Sequence, residues 1–173
     1  MIEKSDIKKC FSTQLQWIQD QDLQEMVVDV WKKAVDIRKW NSLDEIPFTL
    51  LFENSGCLTD HTKRITTLAK AVYDQRDEDI NLNYLIAGAL LHDVGKIVEY
   101  EKKNGKIVKS NYGEVFRHPV SGSKLAWQVG LPDEIVHIIY AHSHEGDKTK
   151  RSPEAIIVNH CDFIDFQIKK SLV

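Results

Sequence analysis

Cysteine, proline and long apolar runs are scarce in this chain of 173 residues, and each shortage removes a class of protein. The three cysteines, Cys10, Cys57 and Cys161, are scattered and form no CxxC pair, so neither a disulfide framework nor a zinc ribbon organises the fold. A reducing, cytoplasmic home is the simplest expectation. The purest apolar run, LIAGALL, is far too short to span a bilayer, and the opening MIEKSDIKKC lacks the apolar stretch of a signal peptide. A soluble, unprocessed protein with no membrane partner is therefore expected. A formal net charge of -3 provides no basic footprint, which argues against nucleic acid as the main partner. Internal repeats are also lacking, and the length suits one domain with room for a helical extension.

What is present is helical periodicity, and it predicts an all-α protein. Over residues 22–40, Leu23, Met26, Val27, Val30, Trp31, Ala34 and Ile37 recur at three- and four-residue spacing. With a shorter helix around Trp17 they make residues 1–50 an N-terminal helical arm packed on a core of residues 51–173. Any tryptophan left exposed on that arm would offer a homodimer interface. A second long helix is expected from a Thr59 cap to about residue 74, with Leu58 or His61, Ile65, Leu68 and Val72 on one face. A third is expected over residues 83–93, ended by Gly95 as a left-handed terminator. Asn104-Gly105 between two strand-like runs predicts one small β-hairpin near residues 97–110. Punctuation at His118-Pro119, Gly130, Pro132-Asp133 and Ser152-Pro153 opens and closes the remaining helices. The last of them, AIIVNHCDFIDF, is apolar on nearly every side and is expected to run through the middle of the domain.

Sorting polar residues by helix face gathers metal-type groups on several inward stripes. His61 shares its face with Ile65, Leu68 and Val72, and His92 and Asp93 follow Leu85, Ile86 and Ala89. Asp162 lies in line with Ala155, Val158 and Phe166, with Asp165 one turn on as a second candidate for its role. His142 repeats the pattern with Ile135, Ile138 and Ile139. His137 falls off that stripe toward solvent, and His160 reads as a packed core histidine. A buried carboxylate costs several kcal/mol unless paired or metal-bound, so aspartates beside neutral imidazoles point to a cation. Mixed imidazole and carboxylate ligation suits Fe, Mn, Co, Ni or Zn, and the lack of thiolate pairs argues against a structural zinc.

An isolated histidine, an adjacent His-Asp pair in LLHDVGK and a distant aspartate resemble the H…HD…D signature of the HD-domain metal-dependent phosphohydrolases. Here these are His61, His92-Asp93 and Asp162, and the resemblance covers roughly residues 58–166. RHPVSGSKLAWQVGLPDEIVHIIYAHS is similar to the subset in which a His-Pro helix and a later His or His-His complete a second metal position, matched by His118 and His142. Where some members carry His-His this chain has His142-Ser143, with His144 next. The Gly-Tyr-Pro stretch of cyclic-dinucleotide phosphodiesterases is missing.

The resemblance implies an HD helical bundle that binds one or two divalent transition metals. It further implies hydrolysis of phosphoester or phosphoanhydride bonds by a metal-activated water, in a small phosphorylated, nucleotide-like substrate. Asp93 would ligate or bridge metal, and Lys96, three residues on, would stabilise phosphoryl charge. Arg117 would bind phosphate. A regulatory HD module that binds a nucleotide or protein without hydrolysis is the alternative. Among members, HD-type 3′-5′ exoribonucleases and symmetrical dinucleoside tetraphosphate hydrolases look nearest.

Overall fold

A computed structural model describes residues 2–172, which form helices around one apolar helix. The chain opens with α1 (Lys4–Cys10), α2 (Ser12–Leu15) and α3 (Gln21–Arg38). After an extended stretch come α4 (Leu58–Tyr73), α5 (Leu82–Leu91) and the single turn α6 (Lys96–Glu99). An antiparallel hairpin of β1 (Tyr100–Lys103) and β2 (Lys106–Lys109) precedes α7 (Asn111–Val115). The last helices are α8 (His118–Val129), α9 (Asp133–Ala141) and α10 (Pro153–Lys170). The expected all-α fold with one small hairpin is the fold observed. No helix among the described residues is long and apolar enough to cross a membrane.

The central helix is α5. Every residue from Leu85 to Leu91 is buried, because α5 is covered by α3 on one side and by α4, α9 and α10 on the others. The expectation that α10 runs through the middle is corrected: Ile156, Ile164 and Ile168 are 45%, 49% and 58% exposed. Its apolar composition does not translate into burial, since only the face bearing Ala155, Val158 and Cys161 meets the core. His160 lies on the outer side and is exposed, not packed.

Local chemistry sets most boundaries as expected. Ser152 accepts the amide of Ala155 at the start of α10, and Gly130 takes φ 93° at the end of α8. Asn104 and Gly105, at φ 53° and 75°, close the hairpin with Lys103 opposite Lys106. The predicted strand residues Ile97 and Val98 belong instead to α6. The cap of α4 is Cys57, not Thr59. Its buried face is His61, Thr62, Ile65, Thr66 and Ala69, while Leu68 and Val72 are partly exposed. Small residues face α5 there, and the buried Thr66 hydroxyl is satisfied by donating to the Thr62 carbonyl at 2.8 Å.

Gly95 does not end a helix through left-handed backbone. Its φ and ψ are −61° and −23°, and residues 92–95 continue in right-handed turns toward α6. Glycine is needed for space: a Cβ there would lie 2.0 Å from the His118 carbonyl oxygen and 2.7 Å from the Gly122 nitrogen. That contact lets α8 sit directly on the turn that carries His92 and Asp93.

The arm holds the same turn from the other side. The Trp31 indole donates to the Leu90 carbonyl at 3.0 Å, and Trp40 donates to the Ile97 carbonyl at 2.9 Å. Arg38 reaches the Val98 carbonyl with Nε and Nη2, at 3.0 and 2.8 Å. These donors satisfy carbonyls where the helical ladder breaks around the turn. Trp31 and Trp40 are therefore buried and offer no homodimer surface, and Trp17 is half-buried. Residues of the arm and of α5, α8 and α9 share one apolar cluster.

Replacing Trp31 with Phe keeps an aromatic ring but removes the donor to Leu90. Urea unfolding is expected to give a loss of about 1–3 kcal/mol, the cost of leaving a buried carbonyl unmatched. Unchanged stability would show that the indole N–H contributes nothing to holding the turn.

Candidate metal centre

Five elements deliver side chains to one buried spot. His61 comes from α4, His92 and Asp93 from the turn after α5, His118 from the first position of α8, His142 from the end of α9 and Asp162 from α10. His61, His92 and His142 are fully buried, Asp93 is 1% exposed, and the Asp162 side chain is 16% exposed. Two groups result. In one, ligand-type atoms of His61, His92, Asp93 and Asp162 all lie within 4.8 Å of one another; in the other, those of Asp93, His118 and His142 do. Asp93 belongs to both.

The orientation of the rings matters more than their proximity. His92 Nδ1 faces the Ala89 carbonyl and His142 Nδ1 the Ile139 carbonyl, each at 2.7 Å. A carbonyl only accepts, so both Nδ1 atoms carry the proton. His61 Nδ1 faces Asp165 Oδ2 at 2.7 Å, and His118 Nδ1 faces Glu99 Oε2 at 3.2 Å. In their neutral forms all four imidazoles then turn an Nε2 lone pair inward. His61 and His92 meet Nε2 to Nε2 at 3.2 Å. His118 and His142 present Nε2 to Asp93 Oδ1 at 3.2 and 3.6 Å, and His61 presents it to Asp162 Oδ1 at 3.1 Å. Asp93 Oδ1 and His142 Nε2 have no hydrogen-bond partner although both are buried.

Acceptors facing acceptors in a dry interior repel unless a cation or a proton lies between them. The titration behaviour follows the same logic. Burial pushes the His61 pKa down, but hydrogen bonding to Asp162, Asp165 and Asp93 overcomes this and raises it to about 9. Burial dominates at His92 and His118, which are pushed below the usual histidine range. Burial works against the charge on Asp93, yet Lys96, His92 and His118 hold its carboxyl well below the ordinary value. Asp162 is held down to about 2, burial being outweighed chiefly by the His61 hydrogen bond. Ionised carboxylates beside imidazoles turned lone pair inward form a donor set that fits a divalent ion, and an outer Nδ1–H held by carbonyl or carboxylate is the usual support for such a ring.

Other expected residues find different places. Asp165 lies behind His61, where it also accepts from Arg64 Nε and Nη2 at 2.6 and 2.8 Å, and it belongs to neither group of ligand-type atoms. Lys96 is buried and donates to Asp93 Oδ2 at 2.5 Å, with its Nζ 4.6 Å from the Phe48 ring centre. Arg117 is half-exposed and pairs with Glu145 at 2.8 Å. The chain does unwind after His142, but the His144 ring is largely exposed, pairs with Asp147 at 3.1 Å and lies outside both groups. His137 is partly buried and accepts from the Ser152 amide at 3.3 Å.

Sequence reasoning missed Phe48, which is 1% exposed and stacks on His61 at 3.8 Å between ring centres. It also missed Glu99. Neither carried a periodic signal, since both sit where the pattern breaks. A cavity of ≈ 350 Å³ opens beside the centre, lined by Phe48, Lys96, Arg117, His118, Asp162 and Phe163 among others.

Comparison with known proteins agrees with this picture. The sequence is 29% identical over 166 residues to a dihydroneopterin 2′,3′-cyclic phosphate phosphodiesterase of Methanocaldococcus jannaschii, an alignment covering 87% of this chain and 66% of that protein. It is 28% identical over 103 residues to ribonuclease Y of Thermotoga maritima, covering 60% of this chain and 17% of that one. It is also 30% identical over 126 residues to the 3′-5′ exoribonuclease YhaM of Listeria welshimeri, covering 64% and 39%. The chain thus spans less than two thirds of the length of each of these relatives. No solved structure matches. The family model for the HD domain matches residues 58–166, the span from the first turn of α4 through Asp162 on α10, and the chain belongs to the HD domain family.

Proposed function

We propose that the protein is a metal-dependent hydrolase of phosphoester or phosphoanhydride bonds in a small, nucleotide-like substrate. The observation that carries this reading is the convergence of four Nε2 atoms on Asp93 and Asp162, with Asp93 Oδ1 and His142 Nε2 left without hydrogen bonds. His61, His92, Asp93 and Asp162 would hold one divalent ion, and Asp93, His118 and His142 a second. Imidazole with carboxylate suits Fe, Mn, Co, Ni or Zn. Bound there, such an ion would supply Lewis-acid polarisation of a phosphoryl oxygen and bring the pKa of a water down toward about 7.

The chain's own groups bind and orient the substrate. Lys96 holds Asp93 ionised through its 2.5 Å hydrogen bond and presents positive charge at the cavity floor, where phosphoryl oxygens gather charge during hydrolysis. Arg117 and Lys109 line the same cavity and attract the anionic group. Phe48, Phe163 and Phe166 form its apolar side, suited to a ring system, and exclude water from the buried carboxylates. The relative from Methanocaldococcus jannaschii is named for opening a cyclic phosphate diester, which supports phosphodiesters as the first substrates to assay. A cavity of ≈ 350 Å³ is near the lower end of ligand sites, roughly 300–1,000 Å³, and favours a small molecule over a polymer. The complete set of six His and Asp groups speaks against a regulatory module without hydrolysis.

Two outcomes are expected. Asp93→Ala should lose bound metal and reduce phosphodiester hydrolysis by more than the roughly 10–100-fold that an outer-shell partner of a metal site is worth; substantial activity surviving in this variant would contradict the proposed role of Asp93. His118→Ala, purified without chelator and assayed for metal by mass spectrometry, should carry one ion fewer per chain than the unmodified protein. Equal metal content in the two would remove the second ion from the mechanism.

A further inference from the structure

The hairpin is the two-stranded sheet among the described residues, and Glu99, just before its first strand, meets the metal centre. Glu99 closes α6, is 6% exposed, and uses one oxygen, Oε2, for two contacts with His118: the backbone amide at 2.6 Å and ring Nδ1 at 3.2 Å. The first contact satisfies an amide in the opening turn of α8, which has no helical partner. The second decides which ring nitrogen carries the proton. With Nδ1–H directed at Glu99, Nε2 is left as a lone pair toward Asp93 Oδ1, 3.2 Å away.

Glu99 is in turn held from behind. Its carbonyl accepts from the Ser110 amide and hydroxyl, both at 2.9 Å, and Ser110 Oγ accepts from Arg38 at 2.6 Å and from the Gly113 amide at 3.0 Å. Gly113 packs so closely that a Cβ would lie 2.3 Å from the Glu99 carbonyl oxygen and 2.8 Å from its Cγ. Lys109, from the end of β2, stands 3.7 Å from the free oxygen, Oε1. The hairpin, α7 and the arm therefore converge on Glu99, with Ser110, Arg38 and Gly113 grouped about its backbone carbonyl and Lys109 at its carboxylate.

We propose that Glu99 is a positioning residue for the second metal subsite, its carboxylate fixing the His118 ring with Nε2 toward Asp93. The proposal rests on the binuclear reading given under Proposed function. It assigns the hairpin a purpose: strand β2 and α7 brace the residue whose carboxylate orients one ligand. His118, like His61 with Asp165, takes this support from a carboxylate on another element. His92 and His142 hold their tautomers through carbonyls three residues back in their own chain segments, whereas His118 opens its helix and has no such carbonyl.

Glu99→Gln keeps one oxygen for the His118 amide and ring, and so the start of α8, while removing the negative charge that polarises the ring N–H. Titration of the metal-free full-length protein with Mn²⁺ or Zn²⁺ should show second-ion affinity falling roughly 10–100-fold, with first-ion affinity and the thermal midpoint of the metal-free protein unchanged. Glu99→Ala should add a spectroscopic signature: ¹⁵N spectra of the metal-free protein showing the His118 ring in mixed tautomers instead of the Nδ1–H form. Wild-type affinity for both ions in Glu99→Gln and Glu99→Ala alike would overturn the proposal alone. Parallel loss of both ions together with a lower midpoint would overturn it in favour of a general structural role. If the unmodified protein and His118→Ala bind the same number of ions, the binuclear reading fails and the proposal falls with it.

Discussion

Asp93 is an ionised carboxylate, 1% exposed, with imidazole nitrogens within 3.6 Å on several sides, and the rest of the structure is arranged around keeping it there. A lone buried charge of this kind costs several kcal/mol even after relaxation. Lys96 offsets part of that cost at Oδ2, which leaves Oδ1 facing His118 and His142 with nothing to accept. Protonating one ring relieves one contact at most. His61, whose pKa rises to about 9 among three aspartates, is the ring best placed to take that proton. A divalent ion would satisfy several lone pairs at once. The polar interior reads as a site prepared for cations, with its ring orientations already set by Nδ1 hydrogen bonds.

Holding that carboxylate in place requires a break in the helical ladder, and several peripheral groups serve that break. The turn between α5 and α6 interrupts the helical ladder, and three donors from the arm and its C-terminal edge, Trp31, Arg38 and Trp40, reach into the gap. Gly95 removes the side chain that would keep α8 away. Arg38 also reaches Ser110, so the arm and the hairpin meet through one guanidinium. Elements that look accessory in sequence thus bear directly on the segment carrying His92, Asp93 and Lys96.

How much of this could be read beforehand depends on the kind of signal. His61, His92, Asp93, His142 and Asp162 were legible because helical periodicity places polar residues among apolar neighbours on a definite face. His118 was legible from its His-Pro context and the family resemblance. The hairpin and most helix ends followed from Asn104-Gly105, Gly130 and Ser152-Pro153, where local backbone preference decides. Errors arose where tertiary packing decides instead. The apolar composition of α10 does not say which flank is left bare, so Ile164 and His160 were placed inside when they lie outside. A glycine needed for a left-handed turn and one needed for close approach look alike in sequence, and Gly95 is the second kind. Glu99, Phe48 and the Arg64-Asp165 pair support the histidines from parts of the chain remote from them or outside any periodic stripe, and no local pattern announces such partners.

Whether cations bind at Asp93 can be read from anomalous X-ray scattering by crystals of the protein loaded with Mn²⁺ or Zn²⁺. Two anomalous peaks are expected, both in contact with Asp93, one also among His61, His92 and Asp162 and the other beside His118 and His142. A loaded crystal whose peaks lie elsewhere, or whose Asp93 contacts only protonated imidazoles and Lys96, would contradict the account.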